Sequence, residues 1–174
     1  MAKISSIEGR ILYNSRGSKT IEVDVQSDGK FLGRVCAPSG ASVGKYEAVS
    51  FPNGNPEESL RILRDNAQKF VGLESSDLKG IQEILKSLDN STNYSIIGGA
   101  LAFALTIASM ESASKSTGEP LIKTLSSDSS FKFPFPIGNI LGGGAHAGPG
   151  TPDIQEILIC AIGSKTIEES IETN

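Results

Sequence analysis

Between Thr20 and Val25 apolar and polar residues alternate without a break, and from Pro56 onward the apolar period changes from two to three and four. Period two belongs to a strand with one wet face, and a period near 3.6 to a helix with one buried stripe. A chain written this way is neither all-helical nor all-β; its strands come first and its helices follow. The run Thr20-Ile21-Glu22-Val23-Asp24-Val25 meets a turn signal at Ser27-Asp28-Gly29-Lys30, and Phe31 to Cys36 returns as the next strand. Asp-Gly favours positive φ, which makes the connection a tight antiparallel hairpin. With Ile4 to Tyr13 ahead of them, these segments predict a three-stranded antiparallel meander.

Pro56-Glu57-Glu58 suits a first helical turn, where a missing N–H costs nothing and the helix dipole favours carboxylates. Leu60, Leu63, Ala67 and Phe70 recur on one face of that helix. Asp77 is placed to cap a second helix carrying Leu78, Ile81, Ile84, Leu85 and Leu88. A third, from about Ile97 to Lys115, is small and apolar on most sides, as a helix buried between other elements would be. Gly118-Glu119-Pro120 ends it, and Leu121 to Leu125 predicts one more short turn or helix.

Ser126 to Ser130 is a serine-rich connector and the best candidate for a domain boundary. Beyond it come Phe133-Pro134-Phe135-Pro136-Ile137, the loop Gly142 to Gly150, an apolar strand from Ile154 to Ile162, and a helical pattern from Thr166. A strand, a glycine loop, a strand and part of a helix do not close a layer. The segment reads as the opening of a second domain.

Composition excludes several functions. With 16 Lys and Arg against 20 Asp and Glu, the net charge of −4 gives no electrostatic footprint for nucleic acid. No charged-then-apolar leader is visible at the start, and the longest apolar run, Ile96 to Ala108, falls short of the ~20 residues a spanning helix needs. These features lead to the expectation of a cytoplasmic protein with no membrane partner. Cys36 and Cys160 lie in apolar strand-like runs, which predicts buried, reduced thiols.

Three places could carry chemistry. The loop Pro38 to Ala48 contains Gly40, Gly44, Ser39 and Ser42, and could close over an anion or offer oxygens to a hard cation; the same composition also suits a plain flexible connection. The loop Gly142 to Gly150 holds His146, the one histidine, which could reach a phosphate or donate a proton, or simply be solvated. That loop lacks the spacing of a dinucleotide fingerprint and the Gly-Lys-Ser/Thr of a P-loop. Gln155-Glu156, at the head of an apolar strand, suits substrate orientation or acid/base work, and equally suits a solvated strand edge with Asp153.

Five short motifs, in order, go further. Asn14-Ser15-Arg16-Gly17 precedes the strand Thr20 to Val23; Pro38-Ser39-Gly40-Ala41-Ser42 is followed by Gly44 and Glu47-Ala48. Leu88-Asp89, Thr92-Asn93, Ser95 and Gly98 come next, then Phe135-Pro136, Asn139 and Gly143-Gly144-Ala145-His146-Ala147, and last Asp153-Ile154-Gln155-Glu156. Together they resemble enolase, the enzyme that interconverts 2-phosphoglycerate and phosphoenolpyruvate. The resemblance implies an α+β fold. Residues 1–130 would form a capping domain, a three-stranded antiparallel meander followed by helices. Residues 131–174 would form the first strands of an α/β barrel that this chain leaves incomplete.

It also implies roles. Ser42 would bind the second, catalytic Mg2+ when its loop closes, and oxygen ligands suit that hard cation. Gly40 and Ala41 would contact substrate and let the loop close. His146 would meet the substrate phosphate. Gln155 and Glu156 would contact substrate, with Glu156 helping to orient or protonate the departing hydroxyl. Arg16 would support the site or a subunit contact without touching substrate. The lysine base, the main acid and the carboxylate ligands of the tighter magnesium would lie beyond Asn174. The fragment alone is therefore expected to be inactive, and the full-length protein a homodimer or higher homo-oligomer of glycolysis or gluconeogenesis. Asn14, Ser18-Lys19, Val43, Ser50 to Gly54, Tyr94 and Gly142 depart from the family pattern. They leave an alternative: a non-catalytic relative that binds a phosphorylated acid or acts as a scaffold.

Overall fold

The computed structural model describes residues 2–40, 43–126, 130–144 and 147–174. These fall into two compact units, one of residues 2–40 and 44–126, the other of 130–144 and 147–174 with Val43.

The larger unit begins with β1 (Ile4–Tyr13), β2 (Lys19–Ser27) and β3 (Phe31–Cys36), an antiparallel sheet in that order. Asp28 and Gly29 turn the second hairpin with φ of 51° and 63°, as the Asp-Gly pair predicted. In register, Ile7 faces Val25, Gly9 faces Val23 and Val23 faces Val35, so one residue in two points inward. Ile21, Val23 and Val25 are completely buried on that face.

The opposite face carries a ladder of charges. Arg10 pairs with Glu22 and, at 3.1 Å, with Asp24; Arg34 meets Asp24 at 2.7 Å. The Arg34 guanidinium, and with it Arg10, holds the Asp24 carboxyl below its usual range. Cys36 belongs to this outer face: its thiol lies 3.1 Å from the Glu22 carboxylate, and the residue is exposed. Cys160 is exposed as well. The expectation of buried thiols therefore fails, because an apolar run does not reveal which strand face a residue takes. Both cysteines are free.

Of the next three helices, the first and third lie on the inner face, and the second packs against the third. Helix α1 (Pro56–Asn66) is capped by Asn55, whose side chain accepts from the Glu57 amide, and buries Leu60 and Leu63. It ends sooner than its apolar stripe suggested: Ala67–Lys69 tightens into a 3-10 turn, and that turn delivers Phe70 to the core. Helix α2 (Leu78–Leu88) is capped by Asp77 at 2.9 Å from the Gly80 amide and buries Ile81 and Leu85. Helix α3 (Gly99–Thr117) runs between Gly98 and Gly118, both at positive φ, and buries Ala100, Ala104, Leu105, Ala108 and Met110 among others. Its small residues let it lie directly on β2 and β3. A Cβ added to Gly33 would stand 1.8 Å from the Ala108 carbonyl, and one added to Gly9 would stand 2.6 Å from the Leu60 side chain. Ser112 bridges the Ser27 hydroxyl (2.7 Å) and the Phe31 carbonyl (2.8 Å) inside this contact.

Between α2 and α3 the chain is organised by Asp89, which is buried. Its carboxylate accepts from the Ser91 amide and hydroxyl and from the amides of Ile96 and Ile97. Helix α3 also seals the free edge of β3. The Glu111 carboxylate accepts the Arg34 amide at 2.6 Å, and the Lys115 ammonium donates to the Leu32 carbonyl at 2.7 Å. A short α4 (Leu121–Leu125) follows.

The smaller unit is a hairpin of β4 (Ile137–Gly142) and β5 (Glu156–Cys160), followed by α5 (Ile167–Thr173). The strand expected over 154–162 pairs over this shorter span. Neither strand has a buried residue. Among the described residues, no helix is long and apolar enough to cross a membrane.

Candidate functional site

Each unit carries part of the site expected from the sequence. In the larger one, the β1–β2 connection and the root of the 38–48 loop meet. Asn14 closes the connection on itself: its Oδ1 accepts the amides of Arg16 (2.9 Å) and Ser18 (3.0 Å). Its Nδ2 donates to the Ser39 hydroxyl at 2.9 Å. The chain up to Ala37 is held as strand, with the Ala37 amide on the Ile21 carbonyl and the Thr20 hydroxyl on the Ala37 carbonyl. Tyr13, Asn14, Arg16, Cys36 and Ser39 line one cleft here. Arg16 thus lies beside the loop root, and Gly40 directly follows it in the chain. On the far side the Gly44 amide donates to the Glu47 carboxylate at 2.8 Å, and the Val49 amide to the Asn93 carbonyl. Ala41 and Ser42 lie outside the described residues.

In the smaller unit Gly143 and Gly144 are folded against the segment that leads through Gln155 into Glu156. The Gly143 amide donates to the Gln155 carbonyl at 2.7 Å, and the Gly144 amide to the Pro152 carbonyl at 2.8 Å. Only glycine fits at 143, where a Cβ would stand 2.3 Å from the Ile154 carbonyl. Register places Glu156 opposite Gly142, and the Asn139 carboxamide reaches the Glu156 carboxylate at 3.5 Å. Gln155 and Glu156 are therefore brought to the base of the loop that holds His146, while His146 itself and Ala145 lie outside the described residues. Among the described residues no group of three or more His, Cys, Asp or Glu side chains is placed to hold a metal ion.

Two contributors were not singled out from the sequence. Asn139 stood in a motif without a role, because its pairing with Glu156 depends on strand register. Asn14 stood in the first motif and as a departure from its pattern, without a role, although an Asn before Ser-Arg-Gly is itself a turn signal.

The sequence model of one family, described as "Enolase, N-terminal domain", matches residues 4–125. The chain belongs to the enolase family. Curated relatives agree. It is 40% identical over 172 residues to the enolase of Methanosphaera stadtmanae, covering 98% of this chain and 41% of the relative. It is 37% identical over 172 residues to that of Methanothermobacter thermautotrophicus, covering 98% and 41%. It is 36% identical over 177 residues to that of Halobacterium salinarum, covering 100% and 44%. The chain thus spans less than half the length of these enolases. The three-stranded sheet followed by helices is the fold of the enolase amino-terminal domain, and the β4–β5 hairpin is consistent with the opening of a barrel.

Proposed function

We propose that the chain is the amino-terminal portion of a phosphopyruvate hydratase, which reversibly dehydrates 2-phosphoglycerate to phosphoenolpyruvate with Mg2+ in glycolysis and gluconeogenesis. The observation that carries this reading is family membership across residues 4–125, joined to the hydrogen bond that sets Gln155, just before Glu156, against Gly143. Residues 1–130 act as the capping domain and residues 131–174 open the barrel. The full-length protein works in the cytoplasm as a homodimer or higher homo-oligomer.

Magnesium belongs to this reading through the family. The described residues do not build a cage for it, and the roles that follow are those of this chain's own residues. Glu156 faces the leaving hydroxyl, with Asn139 beside its carboxylate. Gln155 contacts substrate, His146 receives the phosphate, and Gly40, Ala41 and Ser42 close over the substrate. Arg16 steadies the first loop or a subunit contact.

The test is turnover of 2-phosphoglycerate by the full-length protein, followed by enolpyruvate absorbance with and without Mg2+. Glu156→Gln and His146→Ala each lower kcat/KM by about a hundredfold or more while leaving Tm nearly unchanged, because each removes a charge-assisted contact to substrate. Ser42→Ala cuts turnover and shifts the magnesium optimum upward. A full-length protein that binds a phosphorylated acid without dehydrating it would replace the enzyme reading with the scaffold alternative.

A further inference from the structure

Every polar atom of Asn14 is engaged. Its amide donates to the Ser18 carbonyl at 2.9 Å and its carbonyl accepts the Gly17 amide at 3.0 Å. Oδ1 takes the amides of Arg16 and Ser18, and Nδ2 reaches the Ser39 hydroxyl. Two amide donors on one side fix which end of the carboxamide is oxygen, so the nitrogen must face Ser39. The Ser39 hydroxyl accepts this bond.

The location of the bond gives it its meaning. Strand pairing of the first loop's amino-terminal arm ends at Ala37, and Pro38 has no N–H to offer. Among the described residues, Ser39 is the last point before Gly40 at which that arm is tied down, here to the β1–β2 connection. The tie runs to a turn that is locked by four further bonds of Asn14, so it anchors the loop to something that does not itself give.

We propose that Asn14 is a positioning residue: through the Ser39 hydroxyl it fixes the path of the chain just beyond β3, and so sets the point from which Gly40 approaches substrate. The second half of this statement rests on the function proposed above. The first half does not.

The experiment compares Asn14→Ala, Asn14→Asp, Ser39→Ala and the double variant Asn14→Ala/Ser39→Ala in the full-length protein. It reads hydrogen exchange of the Ala37 amide, which is bonded to the Ile21 carbonyl, together with turnover of 2-phosphoglycerate. Loss of the tether raises exchange by about fivefold in Ser39→Ala and by at least as much in Asn14→Ala, which also loses the two Oδ1 bonds to the Arg16 and Ser18 amides. Asn14→Asp stays near wild type, because a carboxylate still accepts both turn amides and now accepts the Ser39 proton. The double variant is no faster than Asn14→Ala, since both changes break the same bond. In parallel, kcat/KM falls about tenfold in both single alanine variants and is retained in Asn14→Asp. Ser39→Ala leaves Tm unchanged, which separates a positioned loop from a damaged turn. Unchanged exchange in Asn14→Ala, or additive effects in the double variant, would overturn the proposal. A wild-type protein without turnover would remove the enolase reading instead, and the exchange comparison alone would decide the role of Asn14.

Discussion

Asp89 shows how much one buried carboxylate can organise. Desolvation pushes its carboxyl up, but the bonds from Ser91 and from the amides of Ile97, Ser91 and Ile96 outweigh it and leave the group below its ordinary value. A carboxyl lowered on folding contributes stability that is present above its unfolded pKa, about 3.9, and is lost as pH falls through the lower folded value. Asp89→Asn turns an NH2 toward one or more of these donors and costs about 2 kcal/mol at neutral pH. Urea unfolding checks this: the gap between wild type and variant narrows below pH ~4. An equal gap at pH 7 and pH 3 would sink the account. None of this was legible in Leu88-Asp89, because two of the donors lie seven and eight residues on and their direction depends on how α3 is entered. Asn14 was half legible. Its bonds to Arg16 and Ser18 are local and belong to the turn, whereas Ser39 is 25 residues away. Gly40, Gln155, Glu156 and Arg16 were read from motifs, and the structure gives local positions for each.

The alternation from Thr20 to Val25, the Asp-Gly turn and the cap at Asp77 are each written in a few neighbouring residues, so the elements they define could be read directly. The end of α1 could not, because Phe70 continues the helical stripe even though the chain reaches the core through a 3-10 turn. Nor could the meeting of α3 with the sheet, whose key residue, Gly33, is a plain glycine in a strand. With the Ala108 carbonyl 1.8 Å from where a Cβ would sit, Gly33→Ala must push α3 away or bend β3. Overpacking of this kind costs about 3 kcal/mol, the upper end of its usual range. Chemical denaturation of the variant measures it directly, and a loss below ~1 kcal/mol would mean that helix and strand yield easily.

The two units differ in what holds them. The larger has a continuous core from Ile4 to Met110, while in the smaller Ile137, Ile140 and Leu158 are 65%, 61% and 50% exposed. A lone two-stranded hairpin is marginally stable in water. Limited proteolysis of the 174-residue chain should therefore cut first within 130–174 and leave 2–126 resistant, and simultaneous digestion of both would contradict this. On the function proposed above, in which the base and the tight-metal carboxylates belong to the part of the enzyme beyond this span, the same chain should give no magnesium-dependent rise in enolpyruvate absorbance. The period change foretold both the meander and the helices; the exposure of β4 and β5 was not foretold, since an apolar run looks the same whether or not anything covers it. One feature of the larger unit bears on how such a chain is made. Its residues leave the ribosome before those of the hairpin, at a place where identical nascent chains crowd along one message. An open sheet edge there would invite a neighbour to add its own strand. Glu111 and Lys115 already occupy the outward amide of Arg34 and the outward carbonyl of Leu32, so on the β3 side a newly made copy finds these two positions taken.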